Sequence, residues 1–396
     1  MKALVLNAEA RTAHLQSVPR PSPAPNELLI RVHAIGLNPI DPLYVSTPLG
    51  ATGRTIGSDF AGIIAALGAH VPPSSEFRLG DRVSGFLQGA CSTNPRPGAF
   101  AEFLVVPWDL VWKVPEGVGI EEAAGVSLVA LTAAQAVWYC LGLRAPVAYD
   151  REGKWAEHPD WRAFQSRDME RGTGTELKFF VYGASTSVGM FAAQFIRLSA
   201  EASGKRIKLF GAASKAKHEF LKQEPYSYDH LVDYRDPDWD QQIRNLAGGE
   251  EMDYVYDCVS EGESVERASR LLREGGRSMV VRSRAGGAWW TADDLPVEPI
   301  YNAVWEGLGE DVEYQGMDLK KSVAARGFAV ALYQWLGKVV GTEVKAVPVR
   351  VMPGGLERVV GDGFALLGVG GMGDREMKRG EEWMRPVSAE KLVCRI

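Results

Sequence analysis

The stretch from residue 176 to residue 281 constrains this chain most, because short apolar runs alternate there with helix-period runs in strict order. KFFVYGA (Lys178 to Ala184) is a continuous apolar run of buried-strand type, and MFAAQFIRLSAE (Met190 to Glu201) follows with helical spacing. RIKLFGAAS and SKAKHEFLKQ make a second pair, HLVDY and WDQQIRNLAG a third, and MDYVYDCVS and SVERASRLLR a fourth; GRSMVVRS adds a fifth strand. Strands separated by crossovers of helix length predict a parallel sheet wrapped by helices, a doubly wound α/β domain.

The rest of the chain has a different texture. KALVL, ELLIRVHAIGLN, FAGIIAALG, DRVSGFL and AFAEFLVVP are strand candidates punctuated by Gly and Pro, which predicts a rolled or barrel-like β domain. IEEAAGVSLVALTAAQAVWYCLGL, from Ile120 to Leu143, reads as one Ala/Leu-rich helix. Residues 150–176 are charged and poor in aliphatics, which predicts a surface excursion. Beyond Ala285 come strand-like VEPIYNAVW, helical LKKSVAARGFAVALYQWLGK, strand EVKAVPVRV, helix GGLERVVGDGFALL and a last strand, EKLVCRI. The expected organisation is a β-rich first part over 1–130, the doubly wound domain over 131–310, and a return to the first part over 311–396.

Composition excludes several functions. No run approaches about 18 apolar residues, so no membrane span is expected, and MKALVLNAEARTAHLQ lacks the pattern of a secretory signal. Lys+Arg 44 against Asp+Glu 50, without a basic block, argues against nucleic acid as a partner. Cys91, Cys140, Cys258 and Cys394 stand far apart. That spacing predicts neither a disulfide framework nor a cysteine zinc site, so no metal is expected and a reducing cytoplasm fits.

The chemistry concentrates in Val181-Tyr182-Gly183-Ala184-Ser185-Thr186-Ser187-Val188-Gly189, between an apolar strand and an Ala-rich helix. Small residues permit a tight turn there, and a helix N-terminus offers free N–H groups and a positive dipole to a pyrophosphate. Gly183 and Gly189 are kept, with Thr186 between them; Ser185, Thr186 and Ser187 can donate to phosphate or cap the helix. The second strand ends Gly211-Ala212-Ala213-Ser214-Lys215-Ala216-Lys217 without the acid that would hold NAD's ribose hydroxyls. Ser214 with Lys215 or Lys217 suits a 2′-phosphate, Tyr234 can pack along it, and NADPH is therefore expected.

Gly36-Leu37-Asn38-Pro39-Ile40-Asp41, Ile56-Gly57-Ser58-Asp59-Phe60-Ala61-Gly62, Leu79-Gly80-Asp81-Arg82-Val83 and Gly98-Ala99-Phe100-Ala101-Glu102-Phe103 follow one another along the N-terminal part. With the glycine loop they resemble the medium-chain dehydrogenase/reductase family, which implies a β-rich GroES-like catalytic domain beside a Rossmann domain. The family's zinc members carry Gly-His-Glu where Gly57-Ser58-Asp59 stands, and four clustered cysteines, so the likeness is to the zinc-free, quinone-reductase-like branch. Leu131-Thr132-Ala133-Ala134, Ser185-Thr186 and the ending Val387-Ser388-Ala389-Glu390-Lys391-Leu392-Val393 are similar to fungal trans-acting enoyl reductases that serve polyketide synthases. The resemblance implies that Asp41, Pro42, Val281, Val387 and Ser388 lie near the nicotinamide. It also implies a substrate-lining helix from Thr132 through Cys140, and a monomer. Leu43 stands where many relatives carry a Lys beside the cofactor.

Enoyl reduction needs a hydride, donors for the developing enolate oxygen and a proton for the α-carbon. Thr132 is the candidate hydroxyl contact and Tyr44 the candidate proton donor. Three functions compete: an NADPH-dependent enoyl reductase acting on a carrier-bound polyketide, a reductase of free enones or quinones, and a redox-silent cyclase or isomerase on the same fold.

Overall fold

The computed structural model describes residues 1–91, 94–149, 176–291, 294–314, 316–375 and 379–396. The charged excursion read at 150–176 lies outside the described residues, apart from Glu176. The chain forms two compact units: Met1–Leu128 with Trp305–Ser322 and Ala329–Ile396, and Val129–Val304 with Val323–Phe328.

In the first unit, β1 (Lys2–Asn7) and β2 (Thr12–Ser17) form an antiparallel ribbon, and so do β14 (Val312–Tyr314) and β15 (Met317–Leu319). A larger sheet joins β3 (Glu27–Gly36), β4 (Asp59–Leu67), β5 (Arg82–Phe86), β6 (Phe103–Pro107), β7 (Val111–Lys113), β16 (Val349–Met352) and β17 (Lys391–Arg395). Its order is β16-β17-β3-β4-β5-β7, with β6 on β3. The apolar run KLVC therefore does not end the chain as a free edge: Val393 lies opposite Gly36, and the last strand completes the sheet begun by the third.

What draws these distant segments together is polar. Asp59, at the start of β4, is fully buried. Its Oδ1 accepts the Leu128 N–H at 2.9 Å. Its Oδ2 accepts Asn38 Nδ2 at 3.1 Å and Lys391 Nζ at 2.6 Å, and Lys391 also donates to Asn38 Oδ1 at 2.9 Å. Every oxygen and ammonium hydrogen taken from water by this fold must be repaid by such bonds.

The same region corrects the single helix expected over 120–143. The structure has a helix Ile120–Ala124, a break, a helix Ser127–Ala134, and a wider π turn Gln135–Cys140. The break follows from side-chain demand: Ser127 Oγ receives Trp112 Nε1 and pairs with Ser84 Oγ, each at 2.9 Å. The next residue, Leu128, gives its N–H to Asp59, whose negative charge suits a helix start.

In the second unit, β8 (Glu176–Tyr182), β9 (Arg206–Ala212), β10 (His230–Val232), β11 (Met252–Asp257), β12 (Leu272–Val280) and β13 (Ile300–Tyr301) form a parallel sheet. Its order, β10-β9-β8-β11-β12-β13, is the doubly wound arrangement expected from the alternation. One face buries Phe180, Phe210, Trp239, Ile243, Val255 and Leu271. SVERASRLLR proves to be helical only over Ser264–Ser269, and its second Leu opens β12. Leu271 accepts the Met252 N–H at 2.8 Å and Leu272 pairs with Met252, so core and ladder override helix propensity. No helix among the described residues is long and apolar enough to cross a membrane.

Removing the ammonium that balances Asp59 is expected to be costly. Lys391→Met should lower unfolding free energy by about 3–5 kcal/mol, the scale for breaking a buried pair. Urea unfolding followed by tryptophan fluorescence measures it. The double change Lys391→Met with Asp59→Asn should recover part of the loss, and a single-variant loss below about 1 kcal/mol would contradict the assigned role.

Candidate functional site

The glycine loop follows β8, at the carboxyl end of a strand near the centre of the parallel sheet. Gly183 has φ +76°, and a Cβ there would meet Val259 Cγ2 at 2.7 Å, so no larger residue fits. Gly183 and Ala184 both donate their N–H to Ala212 O, at 3.1 and 2.9 Å, which fixes the loop to the end of β9. The helix Ser187–Ser203 then begins with Thr186 as its N-cap, whose Oγ1 accepts the Gly189 N–H at 3.0 Å. A Cβ on Gly189 would meet Gly183 O at 2.4 Å, which explains the second glycine. With Gly189 N–H capped, the first-turn N–H groups of Ser187 and Val188 remain for an anion. Ser185 and Ser187 sit half-buried beside them.

At the end of β9, Ser214 opens a tight turn, Lys215–Lys217, and accepts the Lys217 N–H at 2.8 Å. The helix expected across SKAKHEFLKQ is thus a 3₁₀ turn followed by a short helix, His218–Lys222. Asp233, just past β10, accepts the Lys215 N–H at 3.1 Å and holds this turn. Lys217 is half-buried, and its ammonium has no ion-pair partner among the described residues. Tyr234 is 37% exposed, packs edge-on against Tyr182 at 6.5 Å, and carries the Arg235 guanidinium 4.6 Å over its ring. Val281 follows β12 and is half-buried. The second unit thus gathers Ser185, Thr186, Ser187, Val188, Ser214, Lys217, Tyr234 and Val281 at the carboxyl ends of its strands. Thr132 lies half-buried on the helix Ser127–Ala134.

The first unit holds the other candidates. Asp41, Pro42 and Tyr44 share the helix Ile40–Ser46. Asp41 is buried, and its oxygens accept the Asn38 N–H at 2.7 Å and the Ser58 hydroxyl at 2.8 Å. Burial pushes its carboxyl up to about 7, against the pull of those two hydrogen bonds. Tyr44 accepts Gln88 Nε2 at 2.7 Å and stacks on Trp305 at 6.0 Å, which in turn stacks on Phe86 at 5.9 Å. Burial holds its phenol far above its usual value, so it stays protonated. Val387 and Ser388 are half-buried in the segment before β17.

Two residues were missed by sequence reasoning. Lys391 stood inside a motif quoted for its resemblance, and nothing local in Ala389-Glu390-Lys391-Leu392 marked it as buried. Arg350 donates to the carbonyls of Trp383, Arg385 and Pro386 at 2.8, 2.6 and 3.0 Å and pairs with Glu390, so it holds the segment carrying Val387 and Ser388. Trp112 and Trp138 are core residues whose indole N–H groups bond Ser127 and Ser199. Among the described residues no three His, Cys, Asp or Glu side chains cluster as metal ligands.

Residues 24–116 match the alcohol dehydrogenase GroES-like domain, and residues 187–300 match the family described as zinc-binding dehydrogenase. The trans-enoyl reductase ACTTS2 of Alternaria alternata is 28% identical over 263 residues, 66% of each chain. The trans-enoyl reductase RAP2 of Pyricularia oryzae is 28% identical over 356 residues, covering 87% of this chain and 88% of its own. The solved structure of mycobacterial Rv1454c complexed with NADPH shares the fold, with TM-score 0.67, 18% identity and complete coverage of both chains. From this pair of domains, with the parallel sheet and glycine loop in place, the chain belongs to the medium-chain dehydrogenase/reductase family and is an oxidoreductase.

Proposed function

We propose that this oxidoreductase is a trans-acting enoyl reductase that uses NADPH on the α,β-unsaturated acyl thioester of a polyketide synthase carrier. The observation that carries the coenzyme reading is the pairing of the first-turn N–H groups of Ser187 and Val188, which the Thr186 cap leaves over, with a Lys217 ammonium that has no ion-pair partner among the described residues and follows Ser214 in one tight turn. A diphosphate fits the first and a 2′-phosphate the second. The names of the relatives support the enoyl chemistry and the synthase partner.

In this reading Ser185, Ser187 and the N–H groups of Ser187 and Val188 hold the pyrophosphate, while Thr186 keeps the helix start closed. Ser214 and Lys217 hold the 2′-phosphate, and Tyr234 lies along it. By the family resemblance Val281 of the second unit is assigned to the nicotinamide end, and so, within the first unit, are Asp41, Pro42, Val387 and Ser388. The chemistry that NADPH supplies when bound is a hydride for the β-carbon of the thioester. Thr132 donates its hydroxyl to the thioester oxygen as charge develops there. Tyr44, oriented by Gln88, is the candidate proton source for the α-carbon, although burial, by raising its pKa, weakens it as an acid.

A second reading is a reductase of free enones or quinones, while Leu43, which leaves no lysine on the helix Ile40–Ser46, motivates a third, a redox-silent cyclase or isomerase on the same fold. Purified protein separates the first two. NADPH oxidation with crotonyl thioester supports the first reading, and turnover of quinones or free enones without the thioester supports the second. Product formation that persists without NADPH would defeat both in favour of a redox-silent cyclase or isomerase.

Lys217→Ala should raise the NADPH dissociation constant by roughly 10- to 150-fold, the range for a lost charged hydrogen bond of about 1.5–3 kcal/mol, and leave NADH nearly unchanged. Isothermal titration measures both, and equal losses would remove Lys217 from the 2′-phosphate. Thr132→Val should cut kcat by about tenfold or more with the thermal midpoint held within a few degrees; unchanged kcat would take Thr132 out of the site.

A further inference from the structure

Beyond the residues expected to touch the coenzyme, the second unit contains a buried carboxylate that none of the proposed steps uses. Asp257 is the last residue of β11 and is almost fully buried. Its Oδ1 accepts two backbone N–H groups, Val259 at 2.9 Å and Ser260 at 2.7 Å. Its Oδ2 accepts the Ser264 hydroxyl at 2.5 Å. Ser260 is held at φ +54°, a left-handed conformation that a serine adopts only under constraint, and the two N–H bonds supply that constraint.

The loop so fixed reaches two places. Val259 Cγ2 packs directly over Gly183, where it would lie 2.7 Å from any added Cβ. Ser260 Oγ donates to Asp257 O at 2.9 Å and accepts the Val281 N–H at 3.0 Å. The adjacent Cys258 N–H bonds Tyr182 O at 3.0 Å, so the loop is also sewn to the end of β8. An ion pair between Glu261 and Arg282, 2.9 Å long, closes the far side. β8 and β11 are neighbours, and chain order reverses between them, which is where open parallel sheets admit ligands.

We propose that Asp257 is a positioning residue that sets both ends of the coenzyme crevice through one loop. Val259 fixes the wall of the phosphate-binding turn, and Ser260 fixes the Val281 backbone at the nicotinamide end. The proposal rests on the NADPH reading above. A carboxylate suits the task because a single oxygen can take two converging N–H groups, and burial strengthens both bonds. Burial also raises its carboxyl to about 6, consistent with a dry site whose value is geometric.

Three variants divide the two arms. Asp257→Ala should raise the NADPH dissociation constant at least tenfold, read by tryptophan quenching. In the coenzyme-free protein it should expose the Val259 and Ser260 amides to hydrogen exchange while β9 amides stay protected. Asp257→Asn keeps an acceptor oxygen for the two N–H groups and should bind within threefold of wild type. Ser260→Ala, which removes the shorter of the two acceptors of the Val281 N–H and leaves only the Asp257 carbonyl at 3.3 Å, should lower kcat at least fivefold with NADPH affinity within twofold. Should Asp257→Ala fail to fold, Ser260→Ala and Asp257→Asn carry the test. Wild-type affinity and amide protection in Asp257→Ala, or a Ser260→Ala variant with unchanged kcat, would overturn the inference. Wild-type protein that takes up no NADPH would overturn the coenzyme reading and this inference with it.

Discussion

The first unit depends on the carboxylate of Asp59. A fully buried carboxylate is tolerated only where its lone pairs are filled and its charge is opposed. Here the filling comes from Leu128, Asn38 and Lys391, and the opposing charge from Lys391. The start of β4, the exit of β3, a helix start and the last strand must therefore assemble together. The tie also reaches the candidate chemistry. Asn38 shares its side chain with Asp59 and Lys391 and gives its backbone N–H to Asp41, so the helix bearing Asp41 and Tyr44 is placed by the same knot.

Asp41, Asp59 and Asp257 show three ways to keep an acid inside. Asp59 has an ammonium. Asp41 has one N–H and one hydroxyl, and its carboxyl rises to about 7. Asp257 has two N–H groups and a hydroxyl, and burial raises its carboxyl to about 6. Each stands where a regular element gives way to a loop or short helix that carries candidate ligand contacts. Polar burial here does more for the placement of backbone than for net stability.

Legibility in the sequence followed the range of the forces involved. Strands such as KFFVYGA and ELLIRVHAIG were readable because burial of neighbouring side chains writes a local period. Gly183 and Gly189 were readable because their constraint is steric and local. The break at Gly125 and Val126 was not, because it serves bonds from Trp112 and Ser84 to Ser127. Lys391 was illegible for the same reason on a larger scale, its partner lying 332 positions away. SVERASRLLR misled because helix propensity is intrinsic to the segment, whereas the claim of β11 and the core on its leucines is not.

The departure of the glycine loop from its usual spelling follows the same logic. A middle glycine serves where backbone must come close to phosphate. Thr186 occupies that position yet points its hydroxyl oxygen back to the Gly189 N–H, three residues on. It thereby satisfies one orphan donor of the helix and leaves the two before it, Ser187 and Val188, as the candidate donors. Loss of a glycine is thus compensated by a cap that orders the helix start before any ligand arrives. What the loop gives up in closeness of approach it recovers in preorganisation, because fewer backbone groups remain to be fixed on binding.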